Sequence, residues 1–135
     1  MEKMNLKNSI KAFGLRVNSF PNGIQQAFEE LIEKTGDKAG ERNYYGISYM
    51  ENGNMIYNAA AEEKQAGEAE KFNYKTFTIE SGDYVTEKLD DWQSKTNCIK
   101  DIFQKIIDDG KVDTTKPAVE WYKNDKEMLC MIKAK

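Results

Sequence analysis

The 135-residue sequence contains no histidine, and that absence removes Ser-His-Asp and Cys-His catalysis together with every histidine-based metal site. Acid–base chemistry here must fall to carboxylates, lysine, tyrosine or cysteine. Cysteine is nearly absent as well: Cys98 and Cys130 lie far apart, with neither a CxxC nor a zinc spacing. That usage fits two thiols in a reducing cytoplasm rather than a disulfide framework. No apolar run approaches the ~20 residues that a membrane helix needs. The first fifteen residues, MEKMNLKNSIKAFGL, lack the apolar segment of a secretory signal, so none is expected. A basic stripe is also missing, since 20 Lys plus Arg are scattered among 23 Asp plus Glu for a net charge of −3. Direct nucleic-acid binding is therefore not expected, and a charged partner is better sought among cations. No cofactor is expected either, because no Gly-rich phosphate-cradling motif is present; Gly36 and Gly40 match neither a P-loop nor a dinucleotide fingerprint.

What remains is one ordinary domain, with 39% hydrophobic and 11% aromatic residues to fill a single core. Ala12 to Phe20 alternates as a strand does, and Pro21-Asn22-Gly23 breaks it. Ile24, Ala27, Phe28, Leu31 and Ile32 then recur at the spacing of one buried helical stripe, with Gly36 as its stop. Tyr44 to Met50 and Met55 to Ala61 are strand-like runs around Asn52-Gly53, a strong hairpin signal. The polar residues 62–71 are expected to form a loop joining two halves, with Glu62, Glu63 and Glu68 on its surface.

The second half repeats the order. Strands are expected at Lys75 to Ile79 and Tyr84 to Leu89, with a break at Ser81-Gly82-Asp83. A helix near Asn97 to Asp109, with Asn97 as N-cap, carries the stripe Ile99, Ile102, Phe103, Ile106 and Ile107 and stops at Gly110. Ala118 to Tyr122 and Met128 to Ile132 flank the polar turn Lys123 to Glu127. A gap-free shift of 75 superposes the two helices, Ile24 on Ile99 and Ile32 on Ile107. The sequence therefore predicts an α+β fold. Two strand-helix-strand-strand units, about 10–62 and 72–133, share an antiparallel sheet around a pseudo-two-fold axis. Both helices lie on one face, with a groove between them.

On the residues alone, Glu120 between Val119 and Trp121 reads as a solvated strand residue or as the partner of a cross-strand lysine, since Glu is almost never fully buried unless paired. Strand alternation puts Tyr122 on the same face as Glu120 and Trp121 on the opposite one, and the shift of 75 makes Tyr45 the counterpart of Glu120. Tyr84, after the Gly82 turn, and Trp92, before the second helix, are expected to cap the groove. Asp90-Asp91 and Asp108-Asp109 read as solvated turn and helix-end acids rather than metal ligands, and the six methionines mostly as core fillers, with Met50 or Met128 as candidates to lie near a promiscuous pocket.

Four segments, AFGLRV (residues 12–17), YYGISY (44–49), TIESGDY (78–84) and VEWY (119–122), occur in an order and spacing that resemble the GyrI-like small-molecule-binding domains. These are the effector-binding domains of bacterial transcription activators, related in fold to SOUL haem-binding proteins. The resemblance implies a pocket on the pseudo-symmetry axis, walled by aromatics, in which an acid after the second helix meets a lipophilic cation. Glu120 matches that acid, and Tyr45, Tyr122, Tyr84 and Trp92 are the expected aromatic lining. Relatives often carry a DNA-binding domain ahead of this module, whereas this chain begins at the module, so DNA binding is not carried over. The resemblance also admits a hydrolase of strained cyclopropane-containing toxins, with Glu120 as its catalytic carboxylate. It admits a gyrase-inhibitory module too, so the protein partner would be gyrase or a separate DNA-binding regulator.

Overall fold

A computed structural model describes residues 1–20, 22–37 and 41–135; Pro21 of the expected break and residues 38–40 before Glu41 lie outside the described residues. Eight strands and three helices follow one another as β1 (Glu2–Leu6), β2 (Ile10–Arg16), α1 (Ile24–Thr35), β3 (Tyr44–Glu51), β4 (Asn54–Glu62), α2 (Glu68–Phe72), β5 (Lys75–Ile79), β6 (Gly82–Asp90), α3 (Ile99–Asp108), β7 (Ala118–Tyr122) and β8 (Glu127–Lys133). The β3–β4 hairpin forms where Asn52-Gly53 predicts it. Glu51 pairs with Asn54, and both loop residues have positive φ, 51° and 82°, as a type I′ turn requires.

All strands pair antiparallel in one sheet of order β1-β6-β8-β7-β3-β4-β2-β5. Exchanging the halves and reading the order backwards returns the same order. The pseudo-two-fold therefore passes between β3 and β7, where Gly46 lies opposite Glu120. Each half also lends its first strand to the other: β1 pairs with β6, and β5 pairs with β2.

Chain continuity forces this sheet to curl. β1 and β2 stand six strand spacings apart, ~29 Å if the sheet were flat, yet the four residue steps from Leu6 to Ile10 reach at most ~14 Å. The link from Ile79 of β5 to Gly82 of β6 is shorter still, and Ser81 N–H donates to Ser9 Oγ where the two connectors meet, at 3.2 Å. The result is a half-barrel. Its inner face encloses Ala12, Tyr45, Ile47, Tyr84, Val119 and Met131, with Met4 and Leu6 from one edge strand and Phe77 from the other packed against them.

The helices lie on the outer face. Leu31 of α1 packs on Phe13, Tyr57 and Ala59, while Ile106 of α3 packs on Val85, Met128 and Cys130. Both are fully buried, and each contributes about 2 kcal/mol through its apolar area.

Glu2–Leu6 adds a strand for which the sequence raised no expectation, since its charged and amide residues show no apolar run. Four expectations need correction. The first strand of the first repeat ends at Arg16, because Val17 to Phe20 turns, with Phe20 N–H bonded to the Val17 carbonyl. Residues 68–72 form a helix rather than loop, and Glu68 is buried. Asn97 does not cap the third helix, which starts at Ile99 after two 3-10 turns and has no side-chain cap. Ile32 and Ile107, equivalent positions of the two stripes, are 46% and 39% exposed, since each helix touches the convex sheet along a narrower line than its apolar stripe covers.

Candidate functional site

Residues paired across an antiparallel sheet share a face, so the register decides what surrounds Glu120. It pairs with Gly46 on one side and Cys130 on the other, and these residues face the helices. Tyr122, two residues further along β7, shares that face. So does Tyr57 of β4, which lies opposite Ser48. Both hydroxyls donate to the same carboxylate oxygen, Tyr57 Oη to Glu120 Oε1 at 2.6 Å and Tyr122 Oη to Glu120 Oε1 at 2.6 Å.

Gly46 makes this convergence possible. A Cβ at this position would run into both the Tyr57 hydroxyl and the Glu120 carboxylate.

Aromatic rings surround the trio. Tyr122 meets Phe28 of α1 edge-on at 5.5 Å and Trp92 at 4.8 Å, so it is held between α1 and the 3-10 turn that precedes α3. Trp92 is itself anchored, its indole N–H donating to the Asn124 carbonyl at 2.9 Å. Phe20 stacks flat on Tyr57 at 5.2 Å, and Phe28 also meets Tyr44.

Electrostatics follow from this enclosure. Desolvation pushes the Glu120 carboxyl above its ordinary value, and the two phenol bonds oppose that rise without cancelling it. Burial and the adjacent carboxylate hold both Tyr57 and Tyr122 far above the usual phenol range, so they remain hydrogen-bond donors. The Cys130 thiol behind Glu120 is pushed up to about 12 by burial first and by Glu120 second. Among the described residues no lysine or arginine pairs with Glu120. Among the described residues the site therefore holds a half-buried acid, raised by desolvation, without a counter-charge.

Of the residues singled out from the sequence, Glu120, Tyr122 and Trp92 come together. Tyr45 does not: it pairs with Trp121, which faces away from Glu120 as expected, and sits fully buried on the inner face. The helical shift of 75 fails between β3 and β7, where the two-fold relates Gly46 to Glu120 at an offset of 74 and one residue more reverses the face; Tyr44 and Gly46 are the β3 residues on the Glu120 side. Tyr84 is also on the inner face, its hydroxyl bonded to the Glu80 carbonyl at 2.6 Å. It lines a separate cavity of about 270 Å³ with Ile47, Val119, Lys116 and Lys133. The acid there, Glu80, is exposed and already paired with Lys116 and Lys133 at 3.2 and 3.1 Å.

Sequence reasoning missed Tyr57, Gly46, Phe28 and Phe20 as parts of the site. The hairpin register held a signal for Tyr57, because pairing outward from Asn52-Gly53 puts it opposite Ser48 on the Gly46 face.

A second buried charge cluster supports the region from one side. Arg42 binds Glu68 through two parallel bonds of 2.9 Å, the Asp37 carboxylate at 2.5 Å and the Glu62 carbonyl at 2.6 Å. Glu68 also accepts from the backbone N–H groups of Lys64 and Gln65. The bonds of Arg42 hold the carboxyl of Glu68 down at about 2 despite burial.

The sequence matches no protein-family profile and no curated protein. Solved structures do match across nearly the whole chain. An integron cassette protein from the mobile metagenome of Vibrio cholerae superposes with a TM-score of 0.70 at 13% identity, over 99% of this chain and 95% of that one. The protein SAV2435, solved bound to tetraphenylphosphonium, superposes with a TM-score of 0.67 at 16% identity, over 100% and 94%. A Staphylococcus aureus MU50 protein, provisionally described as a bacterial transcription regulation protein, gives 0.59 at 17% identity, over 98% and 97%. At these identities the likeness to all three is one of fold.

Proposed function

We propose that this chain is a GyrI-like binding domain that captures lipophilic organic cations between α1 and α3. One observation carries the reading: Glu120 is a desolvated carboxylate whose described side-chain partners are two neutral phenols. Removing a carboxylate from water is costly unless a positive charge compensates it, and a bound cation supplies that charge. Tyr57 and Tyr122 hold the acid in place, while Phe28, Trp92 and Phe20 offer ring faces and edges to a ligand. Each aromatic contact with a cation adds ~0.5–2 kcal/mol depending on desolvation. The fold shared with a tetraphenylphosphonium-bound protein supports the same ligand class.

The test is a calorimetric titration with tetraphenylphosphonium and with neutral triphenylphosphine oxide, on the native chain and on Glu120→Gln. The cation is expected to bind saturably and the neutral compound weakly. Glu120→Gln should weaken the cation at least tenfold, ~1.4 kcal/mol, with the fold intact by circular dichroism. Equal affinity of the two proteins for the cation would remove Glu120 from the site.

A further inference from the structure

The outer face does not end at Tyr57. The β3–β4 hairpin runs past its neighbours: the β7 ladder stops at Ser48 and the β2 ladder at Asn58, so residues 49–56 project as a two-stranded ribbon. Two steps beyond Ser48 and Tyr57 on the same face are Met50 and Met55, directly paired with each other and 60% and 48% exposed. Tyr57 is itself buried, and its half-buried stacking partner Phe20 is the apolar surface between the carboxylate and a methionine shelf. Gly46, opposite Glu120, and Met50 are four residues apart on β3, a distance of ~13 Å along the strand. Methionine is the side chain best suited to varied apolar partners, being unbranched and polarisable.

Resting on the reading of Glu120 as the cation anchor, the geometry points to a narrower ligand class. It is the elongated amphiphilic cation, with its charged head at the carboxylate and a hydrocarbon tail over Phe20 to Met50 and Met55. Both phenols donate to Oε1, and among the described residues Oε2 accepts no hydrogen bond, so one carboxylate oxygen is left to face the head group. Among the described residues the shelf is uncharged and the charge the strip offers is negative, at one end. That polarity matches a single-headed cation and opposes an anionic detergent or fatty acid of equal length. With C–C bonds of ~1.5 Å and a zigzag advance of about 1.25 Å per methylene, ~13 Å corresponds to a chain on the order of ten carbons.

The probes are n-alkyltrimethylammonium ions from butyl to tetradecyl, each below its micelle concentration, titrated calorimetrically against the full chain. Affinity should rise about threefold to fourfold per added methylene and level off near ten carbons. In Met50→Ser/Met55→Ser, whose side chains are exposed and whose fold is thereby preserved, the butyl ion should bind as before. The decyl ion should lose at least tenfold. Alkyl sulfates of the same lengths should bind at least tenfold more weakly than the ammonium ions. If affinity does not depend on chain length, or if the double variant binds decyl ions normally, while Glu120→Gln still abolishes binding, the shelf plays no part and the cation reading stands. If Glu120→Gln leaves every ammonium ion bound, both fall together. Self-association in sedimentation that the double variant abolishes would assign the shelf to a second copy of the chain and overturn the inference.

Discussion

Replacing Glu68 with glutamine tests the charge cluster that ties α2 to the approach of β3. Its carboxyl drops from an ordinary 4.5 to about 2 in the folded chain, and each unit of pKa difference corresponds to about 1.4 kcal/mol. The ionised side chain therefore stabilises the fold by about 3 kcal/mol. The same attraction raises the Arg42 guanidinium, so it is counted once. Glu68 is 9% exposed, so solvent screens the pair little. Because the folded-state pKa is depressed, the stabilisation is complete above pH 4.5 and is lost as pH falls toward about 2. Glu68→Gln should accordingly be about 3 kcal/mol less stable than the native chain at pH 7. That is the low end for stripping one partner from a buried ion, because Asp37 and the Glu62 carbonyl still hold Arg42. Urea unfolding followed by circular dichroism, repeated between pH 7 and pH 2.5, measures the gap directly. Other carboxylates titrate in both proteins and cancel in the difference. A gap below about 1 kcal/mol at pH 7, or one that does not narrow between pH 5 and pH 2.5, would refute the assignment of this pair as a buried, stabilising one.

Glu120 behaves oppositely, since its carboxyl is raised. The folded state disfavours its charge, so Glu120→Gln should melt at the same temperature as the native chain or higher at pH 7, while cation affinity falls at least tenfold; a clear loss of stability would contradict the desolvation argument. For the same reason, the affinity of the native chain for tetraphenylphosphonium should fall as pH drops through a value above 4.5, and an affinity constant down to pH 4 would show that the charge is elsewhere. Gly46→Ala should weaken the cation at least tenfold by driving Glu120 and Tyr57 apart, and should cost about 1–3 kcal/mol of stability as overpacking does; unchanged binding would mean that the carboxylate tolerates displacement. In the native protein at pH 8 a thiol reagent should label Cys98 alone, because Cys130 is buried and raised to about 12, and both should react after denaturation.

Signals confined to one element were legible in the sequence. The stripes of α1 and α3 and the Asn52-Gly53 hairpin follow from local spacing, whereas Glu120 reads as a solvated strand residue on spacing alone and was singled out through the family resemblance. Relations between distant segments were not. Arg42 and Glu68 are 26 residues apart and each reads as a surface charge until the fold brings them together. β1 shows no apolar alternation because it is an edge strand, inner-facing only at Glu2, Met4 and Leu6. Tyr45 was misplaced by a single residue of offset: the helices align at 75, but the two-fold relates β3 to β7 at 74.

The exchange of first strands between the halves sets an order on synthesis. Glu2 finds its partner only at Thr86, so β1 leaves the ribosome before its docking site exists. At ~5–20 residues per second, it waits on the order of 4–17 s in the open. Its Glu2, Lys3 and Asn5 keep that waiting segment soluble and unattractive to other strand edges. Neither half can close alone, and the domain becomes complete only when the second copy of the pattern threads back onto the first.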